Sequence, residues 1–599
     1  MPTETDTGRS WAPELILAIV ASAAFLGFLG STELWGKREQ RASAEAMDTV
    51  DHGRWLVAEI QSRPRLEKPP LPRWVVASAM TLTGRRDEAI VRLPNAAAAL
   101  MMVGLVYLMG RGIGGRAVGL ASGLALASLI FFMVELRQAG NDGPLALFTT
   151  LAIFAAWKRL HGGPAEIPAE VAGLRRWAIL MYAALGLGFL TKGPVILLLV
   201  GTTLVAYLAS TRRLRAGARL LLDGPGVALF IALALAWPLP VLLRDPNAAR
   251  VWLLEMAQKT SSAGIHHGRS REFLAWDWLW MALPWTPFAL VAALRPLRRA
   301  RGGSPDASPR FGIVWWWALG NLAMLGCWKV SKPSYYVPCL PAVALLIGGE
   351  WVRACRLARG AEAGAKAARW LLQGTWVVMF AAALVAPVAA GQVAPGLLPW
   401  AWAASGIVAG AVILGAWAWR RGADAWSMAP IAGAVVAVAL VGYGALAPAE
   451  NAARGHRRLA RTLEEVVPPD VRTVLFFAEL DEGLWFYLKG HDLAPLPAAR
   501  TRYNRGFDLL DESSGQKVDT PAQRTARARD QVADWARDGS ASSPYLLIRG
   551  KIYDLFAGEI QDLVEPVYRE QDVRRNELVL LRPRSARVAA GHAAGPARR

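Results

Sequence analysis

A succession of apolar runs, each about as long as a lipid bilayer is thick, constrains this chain more than any motif in it. Taking a span of roughly 17 to 25 residues as the template, apolar runs fall at 12–31, 92–110, 117–134, 143–157, 177–190, 193–210, 222–243, 275–294, 312–328, 335–351, 370–391, 398–419 and 427–447. Hydrocarbon offers no water to backbone N–H and C=O groups, so each run must satisfy them internally as a helix. The fold class expected is therefore an α-helical polytopic membrane protein with about 13 transmembrane helices. The stretch 75–82 is apolar but too short to cross, and reads as a re-entrant or interfacial helix. Composition agrees: 54% of residues are apolar, 26 are Trp, and mean hydropathy is +0.27. The first run follows a short polar head with one basic residue, Arg9, and lacks a clear small-residue cleavage site. It reads as a retained first helix and not as a cleaved signal.

A formal charge of +20 and a pI near 10.3 would point to nucleic acid in a soluble protein. Here the arginines sit in short loops between apolar runs, where the positive-inside rule accounts for them, so membrane lipids and not nucleic acid are the expected partners. Arg111 and Arg116, Lys158 and Arg159, Arg175 and Arg176, 212–219, 295–301, 353–369, and Arg420 with Arg421 all fall on one side, which is then cytoplasmic. The loops 33–74, 135–142, 191–193, 244–275 and 328–334 fall on the other, with the chain after Pro448. Counting 75–82 as a full span would scatter the arginine loops over both faces.

The membrane part thus covers 1–450, with 33–74 as an outer loop carrying amphipathic or re-entrant segments. After it the apolar runs shrink to strand length at 471–478, 545–548 and 577–581, around a helical pattern at 523–538. Residues 451–584 therefore read as a soluble α/β domain on the outer side, and 585–599, rich in Ala, Gly and Arg, as a disordered basic tail. Cys327, Cys339 and Cys355 are odd in number and without metal spacing, so they imply neither a disulfide framework nor a zinc knuckle. They read as small buried apolar residues.

The outer loops set carboxylates beside cations: Arg38-Glu39-Gln40-Arg41, Glu67-Lys68-Pro69-Pro70, Arg137 with Asp142, Thr191-Lys192-Gly193, and Lys332 with Tyr335. Sugar transfer from a polyprenyl phosphate needs these groups. A carboxylate takes the acceptor proton, and cations hold the charge that grows on the departing phosphate. The stiff Pro69-Pro70 pair would fix the direction of Glu67 and Lys68. Each residue also has a plainer reading: Glu39 as a solvated interfacial charge, Asp142 as an acid favoured by a helix dipole, Glu67-Lys68 as a surface ion pair of little worth. Lys192 could be a snorkelling anchor, and Tyr335 part of an interfacial aromatic belt. Glu67 with His266 and His267 offers a ligand set for a divalent metal, zinc or magnesium, although loop histidines are ordinarily not ligands. Trp276, Trp278, Trp280 and Trp285, and the run 315–317, read as interface or interhelical packing more readily than as sugar-stacking platforms. The glycines around Gly112 and Gly114 follow no strand and so form no nucleotide loop.

Several of these stretches carry a family resemblance. The run from Leu34 to Arg41, then Gly53-Arg54-Trp55-Leu56-Val57 and Leu66-Glu67-Lys68-Pro69-Pro70, resemble the first outer loop of the GT-C glycosyltransferases. Arg92-Leu93-Pro94-Asn95, Asp142-Gly143-Pro144-Leu145, Phe189-Leu190-Thr191-Lys192-Gly193 and the run from Lys332 to Pro338 follow in the family's order. The likeness is to the bacterial lipid A aminoarabinose transferases, the ArnT-like enzymes, and to the wider protein O-mannosyltransferase-like group. It implies a GT-C fold and inverting transfer of a monosaccharide from an undecaprenyl- or dolichyl-phosphate donor. The acceptor would be lipid A, a glycan or a protein, on the outer face of a bacterial inner membrane or the luminal face of the endoplasmic reticulum. Glu39 or Asp142 would be the base, Lys68, Arg137, Lys192, Lys332 and Tyr335 would surround the donor phosphate, and Arg41 and Glu67 would support them. The family usually has an Asp-Glu pair where this chain has Arg38-Glu39, which leaves open a diverged, inactive relative. From another class, a flippase for lipid-linked sugar would place its charges near the midplane on broken helices; here most ionisable residues lie at the ends of spans.

Overall fold

The structure is a computed structural model. It describes residues 11–584 apart from 35, 61–62, 162–174, 261–272, 300–308, 328–331, 363, 394, 478–481, 497–501, 504–508, 511–519, 539–542 and 570–576. The expected tail at 585–599 and the pair His266-His267 lie outside the described residues. The chain forms two compact units, one of Met1–Ser31 with Leu66–Ala447, the other of Thr32–Arg65 with Pro448–Arg599. This division differs from a single boundary at 450, because most of the outer loop 33–74 belongs to the second unit.

Within the first unit the apolar runs fall largely on helices, some of them split, as 222–243 is into Gly224–Leu235 and Pro238–Arg244 and 275–294 into Phe273–Met281 and Thr286–Arg299; the short stretch 75–82 lies inside the helix Leu71–Thr83. Among the described residues, six helices are long and apolar enough to cross a membrane, or seven if one bent pair counts as a single span. Three more apolar helices, Ala12–Leu26, Val195–Ser210 and Phe311–Gly326, are shorter.

The bent pair shows why one run becomes two helices. Arg116–Ser128 and Ile130–Leu136 meet at 62°, with Leu129 between them in an extended conformation. The polar groups near the break find partners: Ser128 Oγ donates to Leu124 O (2.6 Å), Trp285 Nε1 donates to Ser128 Oγ (2.9 Å), and Ile130 N donates to Leu283 O (3.2 Å). A broken helix is tolerated in hydrocarbon when neighbours supply the lost bonds in this way.

Small residues set the closest helix approaches, as is usual where apolar burial alone cannot drive association. A Cβ on Gly348, in the helix Leu340–Arg359, would press on the Ser122 backbone, 2.7 Å from its Cα. Gly433 has nothing within 4 Å of its Cβ position. Gly348→Ala should therefore lower the melting temperature of the purified protein, with an overpacking cost of about 1–3 kcal/mol. Gly433→Ala should leave it unchanged or raised; equal melting for both variants would show that the contact is looser than described.

Several tryptophans pack this core and use their N–H groups inside it, while Trp280, Trp370, Trp400, Trp402 and Trp417 are exposed. Trp285, Trp317 and Trp351 are fully buried. Trp317 donates to Pro338 O (2.9 Å), Trp351 to Asp424 O (3.0 Å) and Trp315 to Ala293 O (2.9 Å). A buried indole N–H usually finds such a partner, and for these three tryptophans the use is interhelical packing. Cys339 and Cys355 are buried, whereas Cys327 is exposed, contrary to the expectation for it.

The second unit holds a five-stranded mixed sheet in the order Asp492–Pro495, Thr473–Phe476, Leu546–Arg549, Leu578–Pro583, Val564–Arg569. The pairs made by Thr473–Phe476 are parallel and the other two antiparallel. The helix Pro521–Arg537 starts at a capping box of Thr520 and Gln523 and buries Ala528, Val532 and Trp535 against Leu475, Leu546, Ile548 and Val579. The segment 32–65 contributes the helix Lys37–His52 and a short antiparallel pair, Glu59–Ile60 with Arg63–Pro64. Leu34 N donates to Tyr487 Oη (2.8 Å) and Glu33 N to Asn451 Oδ1 (2.8 Å), tying this segment to the chain beyond 448.

Candidate active site

In the first unit, Asp142 opens the helix Asp142–His161 and Lys192 closes the helix Arg175–Lys192. Lys192 Nζ donates to Asp142 Oδ1 at 2.5 Å, with the two side chains only 14% and 11% exposed. The same ammonium lies 4.5 Å from the centre of the Tyr335 ring, within cation–π range. The Thr-Lys-Gly pattern produces this placement. Gly193 adopts φ +70° and donates its N–H to Phe189 O (2.7 Å), which ends the helix and leaves Lys192 at the negative end of the helix dipole. Tyr335 sits on the 3-10 turn Pro333–Cys339, which Lys332 caps from an exposed position.

Asn95 fixes the approach to Asp142. Its Nδ2 donates to Gln138 O (2.6 Å) and Gly140 O (3.3 Å), and the space a Cβ on Gly143 would occupy is taken by the same amide, 2.9 Å away. Arg92 Nη1 donates to Leu29 O (2.8 Å). The Arg-Leu-Pro-Asn motif is thus a clamp on backbone carbonyls, a role its spacing in the sequence did not reveal.

Arg137 does not join this cluster. It is buried, donates to Ala24 O (2.7 Å) and Gly27 O (2.6 Å), and stacks on the Tyr443 ring at 4.0 Å. The last carbonyls of the helix Ala12–Leu26 are acceptors without intrahelical partners, and a planar guanidinium satisfies two at once. This corrects its expected place beside Asp142.

Glu67 and Lys68 are half-buried in the bend before the helix Leu71–Thr83. Among the described residues no group of three or more His, Cys, Asp or Glu is placed to hold a metal. Of the expected ligand set only Glu67 is described.

Glu39 and Arg41 belong to the second unit. Glu39 lies in the first turn of Lys37–His52 and is fully buried, unlike the solvated charge of its plainer reading. Arg38 is exposed beside it. Arg41 gives two bonds to Glu482 Oε1, at 3.0 and 2.9 Å.

The family model for dolichyl-phosphate-mannose-protein mannosyltransferase matches residues 67–242. An undecaprenyl phosphate-α-4-amino-4-deoxy-L-arabinose arabinosyl transferase of Pseudomonas savastanoi pv. phaseolicola is 27% identical over 340 residues, 56% of this chain and 61% of that protein. Its counterpart in Pseudomonas aeruginosa UCBPP-PA14 is 27% identical over 353 residues, 58% of this chain and 61% of that one. The match thus spans about three fifths of these relatives' length. The crystal structure of ArnT from Cupriavidus metallidurans bound to undecaprenyl phosphate superposes with a TM-score of 0.75 at 21% identity, covering 98% of this chain and 100% of that one. This chain has the ArnT fold. The resemblance read from the motifs is therefore one of architecture as well as sequence: an integral membrane chain of ArnT-like, GT-C type. The family match begins at Glu67 and takes in Asp142 and Lys192, whereas Tyr335, whose ring lies against the Lys192 ammonium, lies outside it. The Archaeoglobus fulgidus oligosaccharyltransferase, at a TM-score of 0.50 and 12% identity, is similar only more distantly than ArnT.

Proposed function

We propose that this chain is a glycosyltransferase that moves a monosaccharide from a polyprenyl-phosphate donor to a lipid A-like, glycan or protein acceptor on the extracytoplasmic face of a bacterial inner membrane. About 13 membrane crossings, with the domain 451–584 on the same outer side, belong to this proposal. So does inversion at the sugar carbon. The observation that carries it is the Lys192–Asp142–Tyr335 cluster in a chain folded like a protein that binds undecaprenyl phosphate.

Chemically, an acceptor oxygen forms a bond to the anomeric carbon as the bond from that carbon to the phosphate oxygen breaks. The acceptor proton passes to a carboxylate, and the polyprenyl phosphate departs with the bonding pair. Lys68, Lys192 and Lys332 stabilise its charge, and Tyr335 holds the Lys192 ammonium against one ring face. Arg137, committed to helix carbonyls, is left out of the phosphate set. Asp142, in the same unit as these lysines, is the carboxylate proposed as the base. Asp142 already accepts from Lys192, so orienting that ammonium is its resting role. Arg41 supports the second unit through Glu482.

Comparing glycolipids and glycoproteins of a deletion strain with those of its parent tests the proposal and names the acceptor. One sugar-bearing species should disappear, and return with the wild-type gene but not with Asp142→Asn. Identical profiles in both strains would remove the transferase reading.

A further inference from the structure

Lys68 lies where the chain has almost no regular structure of its own, in the bend that precedes the helix Leu71–Thr83. A flexible four-carbon side chain on a loose backbone would be a poor phosphate ligand, since ordering both would cost binding energy each time the donor bound. On its C-terminal side the backbone is constrained by chemistry alone. Lys68 precedes Pro69, which confines it to extended conformations, and Pro69 precedes Pro70, the residue before the helix.

On the N-terminal side the constraint comes from far away in sequence. Trp252, in the helix Ala248–Thr260, donates its indole Nε1–H to the carbonyl of Leu66 at 2.7 Å. Leu66 is buried. The indole is itself held: its ring lies 5.4 Å from that of Trp237, which is 3% exposed and begins the helix Pro238–Arg244. Trp252 lies beyond the residues that the family model matches.

We propose that Trp252 is a positioning residue for the donor-phosphate site: its N–H anchors the Leu66 carbonyl and so presents Lys68 to the lipid phosphate in a preorganised conformation. This inference rests on the proposed role of Lys68. The anchored backbone spares the donor the entropy of ordering residues 66–68, so its loss weakens donor binding without touching the groups that make and break bonds.

The test uses the full-length protein purified in lipid nanodiscs, with undecaprenyl phosphate as the binding probe and thermal melting as the control. Trp252→Phe keeps a ring against Trp237 and removes only the donor. It should weaken binding of undecaprenyl phosphate about three- to thirtyfold, the worth of one buried hydrogen bond and the order it maintains, with melting unchanged. In the Lys68→Ala background the same substitution should have little further effect, because the anchor acts through that lysine; a purely structural role would give additive losses. Trp252→Met, read in the same way, serves should the Phe variant melt early. Unchanged affinity in a folded Trp252 variant, with Lys68→Ala clearly weakened, would overturn the inference alone. Unchanged affinity in Lys68→Ala itself would overturn the phosphate assignment beneath it.

Discussion

Lys68→Ala should cut sugar transfer by more than about tenfold while the protein still folds, because it removes one charge-assisted donor from the departing phosphate. Removing a preorganised donor of this kind from a developing anion commonly costs about 3–4 kcal/mol of transition-state stabilisation, or about a hundredfold or more in rate. Folding should survive because Lys68 is half-buried in a bend whose backbone is constrained by Pro69, Pro70 and the Trp252 anchor. Lys68→Arg should recover part of the activity, since the charge remains while the point geometry of the ammonium is lost. The measurement is initial rate with a lipid-linked sugar donor alongside melting temperature; full activity in Lys68→Ala would remove this residue from the site.

Asp142→Ala should be damaging in a second way, to stability as well as to rate. It strands the Lys192 ammonium, which is 14% exposed and bonded at 2.5 Å to the missing carboxylate. Breaking a buried pair by deleting one partner costs about 3–5 kcal/mol, largely because the remaining charge is left uncompensated. The double variant Asp142→Ala with Lys192→Met should regain most of the lost melting temperature, since no charge is then stranded, yet stay inactive because the phosphate loses a cation. Melting curves of the two variants check the first statement and transfer assays the second. If the single variant melts like the wild type, the pair is better solvated than described. If the double variant is active, Lys192 does not serve the phosphate.

Although among the described residues only six or seven helices are long and apolar enough to cross, the helical regions were legible because hydrophobic run length is a direct consequence of bilayer thickness. The break at Leu129 was not, because what makes it tolerable are bonds from Trp285 and to Leu283, more than 150 residues away in sequence. Asp142, Lys192 and Tyr335 could be picked out one by one as charged or aromatic residues at run ends, and the structure brings these three together. Arg137 misled because sequence distance alone suggested Asp142 as its partner, while orphan carbonyls at the end of the first helix compete for a buried guanidinium. The roles of Asn95 and Trp252 were hidden for a related reason: both act on backbone carbonyls, and nothing in a side-chain pattern marks which carbonyl will need a donor. Glu39 looked like a loop charge because its surroundings are polar, but those polar residues form an amphipathic helix whose inner face includes Ser43, Ala44, Ala46 and Thr49.

The most direct measurement is donor turnover by the purified full-length chain in proteoliposomes, following both the lipid-linked sugar and the free polyprenyl phosphate after acceptor is added. Loss of the sugar-bearing lipid should match the appearance of polyprenyl phosphate and of glycosylated acceptor one for one, and all three should fall together in Lys68→Ala. Donor that crosses the bilayer or stays bound with its sugar still attached would contradict the account and mark the chain as a carrier or a silent relative.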